Sequence, residues 1–313
     1  MTDNMKGKTI VVTGGNNGIG LETAVGLARL GAHVVITARN RAKGEAALAD
    51  IKNRSECDNV ELMLADFASL ESIRSFAQEF NAKHGRLDVL VNNAGGINTS
   101  RSQTMDGFET TFGVNHLGYF LVTNLLLGTL KASAPARIVS VSSGAHLRVK
   151  GIDFGDLNAE QSYSGMGVYG KSKLANVLFT YELSRRLEGS GVTANCLHPG
   201  VVRSGFGQNN GGLIALVFKS AYTLMTPFTK SNAQGAETSI YLASSREVEG
   251  VTGKYFADSK ETPSSPASHD EEAAKRLWGV SEQMTGLAAA PVASDEAVVE
   301  PNESQITHGK PTT

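Results

Sequence analysis

The chain has 313 residues, with 29 Lys and Arg against 31 Asp and Glu, for a formal net charge of −2. That length fits one large α/β domain or two small ones, and it can bury a sizeable core. The near balance of charge leaves no electrostatic footprint for nucleic acid or for a membrane surface.

Cys57 and Cys196 are the only cysteines, and they lie far apart in the sequence. This argues against a disulfide framework and against a zinc cluster, so no metal is expected. A reducing cytoplasm is the simplest compartment. No stretch approaches a membrane-spanning length. The polar N-terminus, Met1 to Lys8, runs straight into the first strand and does not read as a signal peptide.

Thr9 to Thr13 is a short β-branched run, read as a buried strand. Gly14-Gly15-Asn16-Asn17-Gly18-Ile19-Gly20 follows, then a helical run from Leu21 to Leu30 stopped by Gly31. Strand, glycine turn and helix are the setting of a dinucleotide-binding turn. Glycines let the backbone approach a pyrophosphate, and the helix N-terminus attracts its charge. The spacing is G-x-x-x-G-x-G rather than the more usual G-x-G-x-x-G.

His33 to Ala38 is the second strand. A unit that binds NAD carries an acid near this strand's end, for the ribose 2′-hydroxyl. Ala38 stands there instead, followed by Arg39, with Arg41 and Lys43 close behind. A planar guanidinium suits a 2′-phosphate, which points to NADP(H). Ala42 to Asn53 reads as a helix, and Val60 to Ala65 as a third strand ending at Asp66. Ser69 has the look of a helix cap before Ile73, Phe76 and Phe80. Leu87 to Val91 is the fourth strand, running into Asn92-Asn93-Ala94-Gly95.

Phe108 to Leu130 reads as helical, with Asn115 inside an otherwise apolar face. Arg137 to Val141 is the fifth strand and ends in Ser142-Ser143. A long polar segment, His146 to Gly167, precedes a helix that opens on Tyr169-Gly170-Lys171-Ser172-Lys173. Tyr169 and Lys173 share a face of that helix, since residues four apart are neighbours. A free phenol titrates near ~10 and is a poor acid or base at neutral pH. A neighbouring ammonium favours the phenolate, so the pair can move a proton at working pH.

Thr193 to Leu197 is the sixth strand, ending at His198-Pro199-Gly200. Arg203 to Lys230 is rich in Leu, Phe and Val and contains four glycines near its start. Gln234 to Leu242 reads as a helix, Gly253 to Phe256 as a seventh strand, and Glu271 to Met284 as a last helix with Trp278 on its inner face. From Ala288 onward the chain turns to Ala, Pro, Glu and Thr and reads as a disordered tail, which leaves residues 1–287 as the folded domain. Strands alternating with helices imply an α/β fold: one doubly wound parallel sheet with helices on both faces. Ligands of such sheets sit at the carboxyl ends of the strands, where Gly14, Ala38, Asp66 and Asn93 fall.

Taken together, Thr13-Gly14-x-x-x-Gly18-Ile19-Gly20, Asn92-Asn93-Ala94-Gly95, Asn115, Ser143, Tyr169-x-x-x-Lys173 and Pro199-Gly200 resemble the short-chain dehydrogenases/reductases, in that family's order. The resemblance covers the chain from about Lys8 to Leu287 and implies a single Rossmann-type sheet. Phe112 to Gly118, Ser172 to Leu178, His198 to Ser204 and Arg276-Leu277-Trp278 resemble its retinol-dehydrogenase-like branch. Many vertebrate members of that branch carry an N-terminal membrane anchor. None is read here, so a cytoplasmic protein is expected.

The resemblance implies roles. Tyr169 is the general acid/base, and Lys173 depresses its pKa and holds the nicotinamide ribose. Ser143 bonds the substrate oxygen, with Ser142 the alternative hydroxyl, and Asn115 orders a water. Gly14, Asn17, Gly18, Ile19, Asp66, Phe67, Asn93 and Ala94 line the dinucleotide, and Pro199, Val202 and Ser204 its nicotinamide end. The basic residue that some NADP-preferring members place inside the glycine turn is absent, since Asn16 and Asn17 stand there. Cofactor preference then rests on Arg39. The expected activity is NADP(H)-dependent interconversion of an alcohol and a carbonyl on a small lipophilic substrate, retinal-like or medium-chain. Two alternatives stay open: a non-catalytic dinucleotide sensor or scaffold of the same fold, and a carbon–carbon double-bond reductase. The resemblance also implies a mobile apolar cover over the substrate at Arg203 to Lys230, with part of its apolar residues packing on the domain and the rest lining the pocket, and it leaves a homo-oligomer open.

Overall fold

The structure, a computed structural model, describes residues 5–202 and 229–287. Eight strands make one sheet in the order β3-β2-β1-β4-β5-β6-β7-β8. Seven are parallel to their neighbours: β1 (Thr9–Val12), β2 (His33–Ala38), β3 (Val60–Leu64), β4 (Val89–Asn92), β5 (Ala136–Val141), β6 (Val192–His198) and β7 (Tyr255–Ala257). The last, β8 (Lys260–Glu261), is antiparallel to β7. Sequence reading missed β8 because it is two exposed charged residues with no apolar pattern.

The helices are α1 (Gly18–Arg29), α2 (Arg41–Ser55), α3 (Leu70–Lys83), α4 (Gly118–Ala132), α5 (Gly165–Arg186), α6 (Asn232–Ser244) and α7 (Glu271–Thr285). Ser69 caps α3 as expected, its hydroxyl accepting from Ser72 N. The helical run expected over Phe108 to Leu130 is not uniform. One turn, Thr110–Phe112, leads into a wide π-helical stretch, Gly113–Leu117, and then into α4. Buried Glu109 starts it, its carboxylate accepting from Thr111 N at 2.9 Å and Phe112 N at 2.7 Å.

Strand alternation sorts the core into two layers. Val11, Leu90 and Ile138 face α3, α4, α5 and α7, where Phe76, Phe80, Phe120, Phe179 and Trp278 fill the space. Ile10, Val12, Val91 and Val139 face α1, α2 and α6, against Val25, Leu27, Ile51 and Leu242. Each such side chain contributes about 1.5–3 kcal/mol on burial. Trp278 lies on the inner face of its helix as expected: its ring stacks on Phe179 at 5.8 Å and meets Phe120 edge-on at 4.9 Å.

One row breaks the apolar pattern. Asn92, Ser140, Cys196 and Tyr255 pair in register across β4 to β7, and all four are buried. A sheet covered on both faces would ordinarily be apolar there. The strand order reverses between β1 and β4, which opens a crevice at their carboxyl ends. No helix among the described residues is long and apolar enough to cross a membrane. The tail from Ala288, and Arg203 to Phe228 within the apolar cover, lie outside the described residues.

Candidate active site

The glycine turn is built by close approach. Gly14 and Gly18 have φ of 64° and 54°, in the left-handed region that favours glycine. A Cβ on Gly20 would stand 2.4 Å from Asn93 Nδ2 and 2.5 Å from the Gly14 carbonyl oxygen. The turn is laced to the ends of β2 and β4. Asn93 N and Ala94 N donate to Thr13 Oγ1 at 2.8 and 3.0 Å, Asn93 Nδ2 donates to Thr13 O at 2.9 Å, and Gly14 N donates to Thr37 Oγ1 at 3.0 Å. Asn17, just before α1, makes no side-chain cap, and the first turn of α1 holds no acid. The leading N–H groups at Gly18 and Ile19 are therefore not claimed by a side-chain cap, and an anion there meets no opposing carboxylate. These features fit a dinucleotide pyrophosphate.

Along the same edge, Ala38 is buried at the end of β2 and Arg39 is exposed. Asn40 caps α2 by accepting from Lys43 N at 3.0 Å, and Arg41 faces Glu45 at 3.7 Å. Arg39 makes no ion pair among the described residues, so its guanidinium is available to a phosphate. Half-buried Asp66 accepts from Ala68 N at 3.0 Å. Phe67 packs inward: a Cβ on Gly118 would lie 2.7 Å from its ring.

The candidate catalytic group comes from β5, α5 and the π-helical stretch. Tyr169 and Lys173 lie one turn apart on α5, and both are buried. Lys173 Nζ donates to Val141 O at 2.9 Å and sits 5.7 Å from the centre of the Tyr169 ring. Ser142 donates its hydroxyl to Lys173 O at 2.7 Å, so it is committed to fastening α5. Ser143 is the hydroxyl beside the phenol; its Oγ also accepts from Ala145 N at 3.2 Å. Asn115 grips Gly96 at both backbone groups. Its Nδ2 donates to Gly96 O at 2.9 Å and to Ser172 Oγ at 3.0 Å, and Gly96 N donates to its Oδ1 at 2.9 Å. A Cβ on Gly95 would fall 2.8 Å from Asn115 Oδ1 and 3.7 Å from Lys173 Nζ. The wide turn of a π-helix often marks a functional position, and here it carries Asn115.

Burial dominates both titrating groups. It pushes the Tyr169 phenol up to about 12, with the Ser143 hydrogen bond pulling the other way. It pulls the Lys173 amine down to about 7. The sequence expectation for Tyr169 had the opposite sign. An ammonium depresses a phenol only while it is charged, and the burial that raises Tyr169 also discharges Lys173.

In the loop after β6, expected on the nicotinamide side, Gly200 has φ of 83° and its N–H donates to His198 Nδ1 at 3.0 Å. Pro199 lies between them, half-buried. Val202 is buried and forms a parallel bridge with Lys230. Val202 and Ile19 converge on Gly235, where a Cβ would meet them at 2.6 and 3.3 Å. Ser204 lies outside the described residues.

The structure thus joins Asn115, Ser143, Tyr169 and Lys173 into one cluster. It joins Gly14, Asn17, Gly18, Ile19, Asn93 and Ala94 into an adjacent cradle. Arg39 and Asp66 stand farther along the edge, at the ends of β2 and β3. Sequence reasoning missed Thr37, Ser172 and the Val141 carbonyl. Thr37 had a weak signal, as the one hydroxyl in the strand His33 to Ala38. The Val141 carbonyl had none.

A glycine cradle beside a buried Tyr–Lys–Ser–Asn cluster, on one edge of a doubly wound sheet, defines a nicotinamide-dinucleotide oxidoreductase. Residues 8–211 match the short chain dehydrogenase family, and the chain belongs to it. Human retinol dehydrogenase 14 is 50% identical over 297 residues, covering 90% of this chain and 88% of that protein. Human retinol dehydrogenase 12 is 46% identical over 283 residues, 90% and 88% of the two chains. The chain therefore falls in the retinol-dehydrogenase-like branch and is an oxidoreductase of the alcohol/carbonyl class. Among solved structures, a Mycobacterium paratuberculosis protein superposes with a TM-score of 0.72 at 35% identity, over 90% of this chain and 94% of that one. Pseudomonas aeruginosa RhlG, solved as an NADP active-site complex, gives a TM-score of 0.64 at 28% identity, over 82% and 96%.

Proposed function

We propose that this chain interconverts an alcohol and a carbonyl on a lipophilic substrate, with NADP(H) as cofactor. The observation that carries the reading is the buried cluster of Tyr169, Lys173 and Ser143 beside the glycine cradle. When bound, the nicotinamide supplies or accepts the hydride. The protein orients the substrate and moves a proton.

Tyr169, raised by burial, is protonated at neutral pH and is set to act as an acid toward a carbonyl oxygen. Ser143 Oγ, beside the phenol, offers that oxygen a second hydrogen bond. Lys173 spends one N–H on Val141 O and, as a neutral amine, keeps one more for a ribose hydroxyl. Asn115 acts at one remove by fixing Gly96 and, through Ser172, the first turns of α5. Ser172 in turn donates to Tyr169 O at 2.8 Å.

The NADP(H) preference is supported by the buried Ala38, which offers no acid for a 2′-hydroxyl, and by exposed Arg39 beside it. The lipophilic substrate is supported by the names of the relatives, retinol dehydrogenases, and by the apolar sequence from Arg203 to Lys230. A reducing cytoplasmic location is in keeping with the free Cys57 and Cys196, and cell fractionation would test it. The deciding experiment assays a panel of aldehydes and ketones with NADPH and with NADH. Turnover of lipophilic carbonyls with NADPH is expected. No turnover of any carbonyl with either cofactor would favour a sensor or scaffold, and NADH preferred throughout would overturn the cofactor assignment.

A further inference from the structure

His146 has no part in the chemistry above, yet it is completely buried, in the short helical turn Gly144–Arg148 that follows Ser143. Its ring Nδ1 lies 2.7 Å from the Ser143 carbonyl oxygen, which also receives the His146 backbone N–H at 3.1 Å. A carbonyl only accepts, so Nδ1 carries the proton. In a neutral imidazole Nε2 is then an acceptor, and Ser265 N donates to it at 3.2 Å. Both contacts select the same tautomer.

The far end is itself anchored. Ser268 Oγ donates to Ser265 O at 2.5 Å and pairs with Ser264 Oγ at 2.7 Å, and Ser264 Oγ meets the Tyr181 hydroxyl of α5 at 2.8 Å. Leu147 in this turn is 57% exposed, whereas Ala145 and Val149 lie close against Gly170 of α5, where a Cβ would stand 3.2 and 2.7 Å from them, so His146 is the side chain of the turn that reaches across to the Ser264–Ser268 segment. The Ser143 side chain can point steadily at a substrate oxygen only if its main chain is held.

We propose that His146 is a positioning residue: a strut that fixes the main chain of Ser143 against the Ser264–Ser268 segment. The proposal rests on the reading that Ser143 bonds the substrate oxygen. Asparagine and glutamine separate the two ends of the strut. Asn at 146 places its amide near the former Nδ1, keeping the donor to Ser143 O and losing Ser265. Gln reaches the former Nε2, keeping an acceptor for Ser265 N and losing Ser143. The aromatic contact of His146 with Tyr255, at 4.9 Å, is lost in both and cancels.

The test compares wild type, H146N, H146Q and S143A in full-length protein. It measures kcat and KM for one carbonyl substrate, Kd for NADPH and Tm. H146Q is expected to lose ~10-fold or more in kcat with NADPH affinity unchanged, since small misplacement of a reacting group is costly. H146N is expected to lose Tm while keeping most of its kcat. Wild-type kcat in H146Q, with S143A inactive, would overturn the strut and leave the role of Ser143 standing. Equal loss of kcat in H146N and H146Q, in step with Tm, would also overturn it, since that marks a merely structural residue. Wild-type kcat in S143A would remove both the strut and the assignment of Ser143.

Discussion

Replacing Lys173 with methionine should stabilise the cofactor-free protein at low pH while removing its activity. Lys173 is 3% exposed, and burial brings its amine to about 7 from an ordinary value near 10.5. That difference corresponds to roughly 5 kcal/mol of lost preference for the ammonium. The unfolded chain keeps this lysine protonated up to about pH 10.4, whereas the folded chain releases the proton above about 7. The unfolded state thus binds more protons between those values, and stability from this group rises with pH across that window. Below pH 7 the whole penalty is present. Methionine carries no charge and pays no such cost. The variant also leaves the Val141 carbonyl without its donor, at about 1–3 kcal/mol, but that loss is the same at every pH and drops out of the comparison. The lowered histidines, His33, His116, His146 and His198, are common to both proteins. Urea unfolding at pH 6, 7.5, 9 and 10 gives the two stability curves. The advantage of Lys173→Met over wild type should shrink by roughly 2–5 kcal/mol from pH 6 to pH 10, the lower figure allowing for relaxation and water entry. A gap that stays constant over that range would refute the argument, because Lys173 would then be charged in the folded protein throughout.

Tyr169→Phe should lower kcat by ~10²–10⁴ while NADPH still binds, because the ring and Lys173 remain; near wild-type kcat would end the acid/base assignment. Arg39→Ala should raise the KM for NADPH far more than that for NADH, since charge-assisted bonds to a phosphate are among the stronger ones; equal weakening of both would count against a 2′-phosphate partner. Across a series of straight-chain aldehydes, kcat/KM should climb several-fold per carbon until the pocket fills, at about 0.8 kcal/mol per buried methylene; a flat series, or a small charged best substrate, would dispose of the lipophilic pocket.

Much of the site could be read along the chain. Gly14, Gly18 and Gly20 announce a turn that needs positive φ or close contact, and Tyr169 and Lys173 announce a shared helix face. Both are short-range matters, set within one or two turns of backbone. Resemblance prefers Ser143 to Ser142, and the Ser142 hydroxyl donates to Lys173 O. The boundary of the fourth strand was read too early, at Leu87. Asp88 bonds both neighbours through its main chain, Asp88 N to Thr9 O and Arg137 N to Asp88 O at 2.8 Å each, but its side chain also takes the Thr9 N–H at 2.9 Å along with Lys8 and Arg86, and the regular pairing of β4 runs from Val89. No local pattern carries that information.

The seven parallel strands, the glycine turn, the helix that aligns Tyr169 with Lys173, and the family are all legible along the chain. Apolar periodicity and backbone preference act over a few residues and are legible wherever they occur. Long-range packing sets the strand order and the crevice at β1 and β4. The same holds for the grip of Asn115 on Gly96, the seat of Lys173 Nζ on Val141 O, and the ring of His146 between Ser143 and Ser265. It also reversed the sign expected for Tyr169. Hydrogen bonds between residues tens of positions apart, and the desolvation that shifts Tyr169 and Lys173 together, depend on what the fold packs around a group and not on its neighbours along the chain.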